Sequence, residues 1–153
     1  MSNLFIEFIF AFLGTLGFTL IFNVPLRHIP VASFVGGAGW VMYHIAADAG
    51  FGIAISCFFG ACIVGLISDI ASRICKEAAT IFIIPGVLPL VPGAGTYYTM
   101  LAIVEGNLEL AADKGVETLA MAGAIALGLL TMGSIIQLIR GITKRKTAQR
   151  TGL

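Results

Sequence analysis

The stretch IIPGVLPLVPGAGTYYTM, Ile83 to Met100, decides how the rest of the chain is read. Pro85, Pro89 and Pro92 and Gly86, Gly93 and Gly95 crowd its first thirteen residues, yet it lies in one of the most apolar parts of the sequence. Each proline removes a backbone donor and disturbs the helical turn before it. The carbonyls so released need partners, and irregular backbone is tolerated at membrane depth only where it is buried in protein or lines a watery cavity. The segment is expected to be a discontinuous span, broken around Pro85, Gly86 and Pro89, with a new half-helix over GTYYTM and Thr96 near its first turn.

Such a break has chemical use. The first N–H groups of a helix lack intrahelical partners and carry the positive end of its dipole, a ready site for a carboxylate. Pro92, Gly93, Ala94, Gly95 and Thr96 are the expected substrate-binding residues, with Tyr97 or Tyr98 closing one wall. The glycines allow unusual backbone angles and close approach. Discontinuous helices of this kind mark substrate sites in secondary transporters. The competing reading is a proline-kinked helix that only packs. A single proline would suit it, and P-G-x-x-P-x-x-P-G-x-G weakens it.

Composition puts the whole chain in a bilayer. Of 153 residues, 58% are hydrophobic and only 11% charged, and the mean hydropathy of +1.01 is far too high for one soluble core. Five apolar segments run roughly over Leu4–Val24, Val31–Ala47, Phe51–Ala71, Ala78–Val104 and Leu119–Ile142, against the ~20 helical residues a hydrocarbon core requires. The expected fold is all-α, a bundle of about five transmembrane helices with the fourth discontinuous. Residues 1–143 form one membrane domain and 144–153 a basic tail. PLRHIP, with Pro25 and Pro30, separates the first two spans, and Asp48 to Gly50 turns between the second and third. The polar connection EGNLELAADKGVE before the last span is able to form a short amphipathic surface helix. The N-terminus lacks the basic region of a signal peptide, so the first segment is read as a lasting span.

With five alternating spans, Arg27, Arg73, Lys76, Arg140, Lys144, Arg145, Lys146 and Arg150 fall on one side and Lys114 alone on the other. Basic residues near span ends are retained in the cytoplasm, which predicts a cytoplasmic C-terminus and an outer N-terminus. A net charge of +1 without an extended basic run outside the tail argues against a nucleic-acid partner. Cys57, Cys62 and Cys75 lack the paired spacing of a zinc or redox site and read as small core residues. No metal or cofactor is called for.

Small residues four apart, Ser56 and Gly60, Ala61 and Gly65, Ala124 and Gly128, suit close helix packing in lipid, either as ordinary bundle contacts or as a dimer seam. Ionised groups inside spans are expensive. Asp69 and Arg73, one turn apart and followed by Glu77 at the same spacing, make an ion-pair ladder at the headgroups or a gate. His44 and Asp48 share a face beyond Trp40 and Tyr43, either as a proton-coupling pair or as an interfacial histidine next to a turn-starting aspartate. Glu7 is read as snorkelling from the first span.

The run PGVLPLVPGAGTYY, in a broken fourth segment followed by a polar connection and a last span, resembles the C-terminal half of the threonine/serine exporter family. Members occur as fused chains or as separate large and small membrane subunits, and this chain is similar to the free-standing small subunit over nearly its whole length. The resemblance implies export of a small metabolite across the bacterial inner membrane: threonine or serine, or a dicarboxylate such as succinate. It also implies a larger membrane subunit as partner, whose motifs are absent here, and leaves room for a higher oligomer. The alternative is a non-transporting subunit that assembles or stabilises a larger transporter. An intramembrane enzyme fares badly, because neither H-E-x-x-H nor G-x-S-x-G occurs. No ring-forming channel filter stands out either.

Overall fold

Prolines and glycines punctuate the chain where the sequence places them. A computed structural model describes residues 4–150; residues 1–3 and 151–153, the latter the end of the basic tail, lie outside them. Six α-helices follow in order: α1 Leu4–Ile21, α2 Ile29–Asp48, α3 Ile53–Cys75, α4 Thr80–Val87, α5 Gly93–Val104 and α6 Leu108–Arg150. No strand occurs among the described residues. Pro25 opens a 3₁₀ turn at Leu26–His28, and Pro30 sits in the first turn of α2, where its missing N–H leaves no gap. Lys76 ends α3 in the left-handed region at φ 56°.

The directions of the helices follow from their contacts. Thr15 of α1 meets Gly36 of α2 while Phe8 meets Gly37, and Gly39 of α2 meets Val64 and Gly60 of α3, so these three run antiparallel in turn. By contrast α3 and α6 run parallel, with Gly128 against Phe58 and Ala61, and Met132 against Gly65. Since α6 starts at the end opposite to the one where α3 stops, the chain between them must cross the bundle. That crossing is the pair α4 and α5, bent by 52° at its break. Four helices are long and apolar enough to span a membrane, and the bent pair makes a fifth crossing. The protein is a multi-pass, all-helical membrane protein.

Small side chains bring the backbones together, as expected where lipid supplies no hydrophobic drive between helices. Ala32, Val35, Cys57, Ala61, Val64 and Phe82 form the centre, buried between α2, α3 and α4. A Cβ on Gly128 would stand 2.7 Å from the Phe58 carbonyl oxygen, so the Ala124–Gly128 spacing serves packing of α6 on α3.

Two expectations are corrected. The polar connection is not a separate surface helix, because α6 begins at Leu108 and runs without interruption through Arg150. Gly106 at φ 76° makes the turn, and the Asn107 side chain caps the helix by accepting from the Leu110 N–H at 3.1 Å. From there Leu, Glu, Ala and Asp all favour helix near its N-terminus, and no proline intervenes. At about 1.5 Å per residue, the 43 residues of α6 are roughly twice as long as a hydrocarbon core. Second, the ladder stops short. Arg73 Nε donates to Asp69 Oδ2 at 2.8 Å, but the left-handed turn at Lys76 carries Glu77 off the helix face, and Glu77 pairs with Arg27 and lies 3.5 Å from His28 Nε2.

Candidate functional site

The break is a compact sequence of local events. Pro85 and Gly86 do not interrupt α4 but lie inside it, buried; a Cβ on Gly86 would stand 2.7 Å from Val35 Cγ1, so glycine there allows α4 to seat on α2. The irregular part is the 3₁₀ turn Leu88–Leu90 with Pro89 in its first turn, followed by Val91 in extended conformation and Pro92 as the residue before α5.

The first turn of α5 supplies fewer donors than the sequence suggests. The Gly93 N–H bonds the Val91 carbonyl at 2.8 Å and the Thr96 N–H bonds the Pro92 carbonyl at 3.1 Å. Only Ala94 and Gly95 of the four are left without a backbone acceptor, and no side chain caps the helix. The Thr96 hydroxyl donates to the Gly93 carbonyl at 2.7 Å, which turns it back along its own helix.

Gly93, Ala94 and Gly95 border a cavity of about 310 Å³. The break contributes Pro89 to Gly95, and α5 contributes Tyr98. Trp40 and Tyr43 come from α2, Ile53 and Cys57 from α3, and Lys114, Glu117, Thr118 and Met121 from α6. Thr96 and Tyr97 are exposed and lie off this wall. The cavity occupies the half of the bundle near the turns that follow α2 and α5, since it is lined by Ile53 at the start of α3 and Tyr43 near the end of α2. Asp69 and Arg73 sit at the other end.

Lys114 and Glu117 were hidden in what reads as a surface connection. Because that connection is helical, their i,i+3 spacing turns both toward the cavity, with Lys114 Nζ 3.1 Å from Glu117 Oε2. The helix propensity of LELAADKGVETLAMAG was the available signal. The floor is held by reciprocal Gly–Thr contacts: Gly95 of α5 fits against Thr118 of α6, and Gly115 of α6 lies 3.4 Å from Thr99 of α5, measured from where its Cβ would be. Both threonine hydroxyls are turned into their own helices, Thr99 to the Gly95 carbonyl at 2.8 Å and Thr118 to the Lys114 carbonyl at 2.7 Å.

The cavity can therefore meet either sign of charge. Two N–H groups at a helix start and the Lys114 ammonium suit a carboxylate; Glu117, which lines the same cavity as Trp40 and Tyr43, suits an ammonium. His44 and Asp48 are not brought to it. His44 Nε2 instead lies 3.4 Å from Glu7 Oε2 of α1, and Asp48 is exposed at the end of α2. Glu7 does not snorkel outward: it accepts a hydrogen bond from Trp40 Nε1 at 2.9 Å. No cluster of metal-binding side chains occurs among the described residues.

Comparison with known proteins agrees with this layout. An uncharacterized protein of Haemophilus influenzae is 24% identical over 141 residues, a match that covers 87% of this chain and 48% of the relative. The chain thus spans about half the length of that relative. No solved structure matches. The model of the threonine/serine exporter family matches residues 7–135, from Glu7 on α1 across the broken span and well into α6. With the match covering most of the membrane bundle and the whole lining of the cavity, the chain belongs to the threonine/serine exporter family.

Proposed function

We propose that this chain is the smaller membrane subunit of an exporter for a small carboxylate-bearing metabolite in the bacterial inner membrane, and that the cavity at the broken span is its substrate site. The observation that carries the reading is that Ala94 and Gly95, whose N–H groups have no backbone acceptor, line one cavity together with Lys114. In this reading the substrate carboxylate lies against those N–H groups and the ammonium of Lys114. Glu117, Trp40 and Tyr43 receive its amino group, and Tyr98 closes the wall. The presence of Glu117 beside Lys114 favours a zwitterionic amino acid such as threonine or serine over a dicarboxylate such as succinate, because a second carboxylate would meet a like charge.

The length of the relative supports a partner. The relative is about twice as long as the matched stretch, which leaves room for a second bundle against which the first can rock, and alternating access commonly uses two such units. The partner is a larger membrane subunit of the same family, and the assembly can include several copies of each. The same observation favours a second reading, in which this chain only assembles or stabilises the transporter and the substrate passes through the partner.

Export from proteoliposomes containing both subunits separates the two. Lys114→Gln removes one charged hydrogen bond, worth about 1.5–3 kcal/mol, and should weaken apparent substrate affinity roughly 10–150-fold. An unchanged affinity with normal assembly would leave the stabilising role as the surviving reading.

A further inference from the structure

A second cavity of about 280 Å³ lies on the α1 side of the break and is lined by Glu7, Phe10, Ala11, Gly14, Phe18, Trp40 and Pro89. Trp40 and Pro89 also line the first cavity, so they form the partition between the two. On the α1 side of that partition stands Glu7, the only ionisable residue of α1. Its carboxylate accepts from Trp40 Nε1 at 2.9 Å. It also faces His44 Nε2 at 3.4 Å, and that buried nitrogen has no hydrogen-bond partner. At this distance a small turn of the ring brings an imidazole nitrogen and a carboxylate oxygen into position to share a proton. A proton added to either group would cancel the net negative charge of the pair, which is costly where water is excluded.

We infer that Glu7 and His44 bind one exchangeable proton between them, and that Trp40 transmits its presence to the first cavity. The proton comes from water on one side of the membrane and returns to water; no other bond is made or broken. Without it, Glu7 is an anion, and the Trp40 N–H makes a charge-assisted hydrogen bond, about twice as strong as a neutral one. With it, the acceptor is neutralised or shared with the imidazolium, and the hold on Trp40 weakens. The indole, stacked on Tyr43 at 5.2 Å between ring centres, is then freer to move, and both rings line the first cavity. Proton occupancy and cavity shape are thereby linked, in either order of binding.

The other titratable groups around this arrangement are Tyr43 and Asp48 on α2, Cys57 on α3, Tyr98 on α5, and Lys114 and Glu117 on α6 across the first cavity. None stands between Glu7 and His44. The assignment of this proton to ion coupling rests on the export reading above; its binding does not.

Trp40 is the only tryptophan of the chain, so its fluorescence reports this site directly. The full-length protein in lipid nanodiscs is titrated from about pH 4 to 9, a range that brackets ordinary carboxylate and imidazole titration. A one-proton transition in Trp40 emission is expected. Glu7→Gln should abolish it, His44→Asn should move its midpoint by about one unit or more, equivalent to tenfold in proton affinity, and Glu109→Gln, exposed at the start of α6, should leave it in place. A transition that survives Glu7→Gln, or that is lost in Glu109→Gln, overturns the inference. If Glu7→Gln does not insert, the pH-difference infrared spectrum of the native protein decides: a carboxylic C=O band that shifts in Glu7→Asp, or an imidazolium ring band that is lost in His44→Asn, supports the pair, and the absence of both overturns it. In the native protein, export without any titration would sink the proton site alone, whereas titration without export would sink the transport reading alone.

Discussion

Gly95 of α5 faces Thr118 of α6 with no room for a side chain between them, since a Cβ at Gly95 would overlap the Thr118 hydroxyl. Thr118 is buried and its hydroxyl is committed to the Lys114 carbonyl, so it has little freedom to withdraw. This contact fixes the start of α5 at a set distance from Lys114.

From it follows a contrast between two glycines of the same turn. Gly95→Ala should force α5 away from α6 and reduce export sharply, and Gly95→Leu should abolish it. Thr118→Ala, which removes the overlapping hydroxyl, should restore part of the loss in the Gly95→Ala background. At Gly93 a Cβ meets nothing within 4 Å, so Gly93→Ala should change apparent affinity by no more than roughly threefold, under 1 kcal/mol. Export from cells with matched membrane levels measures all four. Equal loss at both glycines would mean that the Thr118 contact is not what makes Gly95 special.

A second contrast concerns stability. Gly128 lies in the α3–α6 contact, where a Cβ would stand 2.7 Å from the Phe58 carbonyl and 2.9 Å from the Ala61 Cβ, whereas at Gly123 nothing lies within 4 Å. Backbone cannot yield as a flexible side chain can. Gly128→Val should destabilise the protein by overpacking, at a cost of about 1–3 kcal/mol or more, and Gly123→Ala should be neutral or mildly stabilising through its higher helix propensity. Thermal unfolding in detergent, followed by the helical signal, is the measurement. Equal melting temperatures for the two variants would contradict the tight α3–α6 contact.

What the sequence made legible divides along physical lines. Hydropathy and the proline–glycine run located the spans and the break, because both are local properties of the chain. The resumption of helix near Gly93 was legible for the same reason. Three things were not. Pro85 and Gly86 read as breakers, yet a glycine inside a helix can serve a neighbouring helix, and only packing against Val35 reveals it. Lys114 and Glu117 read as surface residues because their polar segment was expected to lie as a short helix on the membrane surface, whereas it continues into the last span as one helix. Glu7 and His44 lie far apart in sequence, and their approach depends on how α1 seats against α2. His44 was therefore paired with Asp48, the nearest carboxylate on its own helix face.

The last prediction concerns orientation. Antiparallel α1 to α3 and parallel α3 and α6 place the turn after α2 and the turn before α6 at one end of the bundle, and the Leu26–His28 turn at the other. The Leu26–His28 end carries Arg27, together with Arg73 and Lys76 near the finish of α3, while Lys114 is the lone basic residue toward the opposite end. Basic residues flanking spans are retained in the cytoplasm. The turn at Glu105 should thus face outward and the turn at Leu26 inward. Leu26 is 80% exposed, and Glu105 lies in the exposed run that leads into α6, so both sites accept a reporter without disturbing packing. In a background with Cys57, Cys62 and Cys75 replaced by alanine or serine, Glu105→Cys should react with a membrane-impermeant thiol reagent in intact cells. Leu26→Cys should react only after the cells are opened. The reverse pattern would invert the protein in the membrane, and labelling of both sites in intact cells would contradict five crossings, because it would put the two ends of the bundle on the same side.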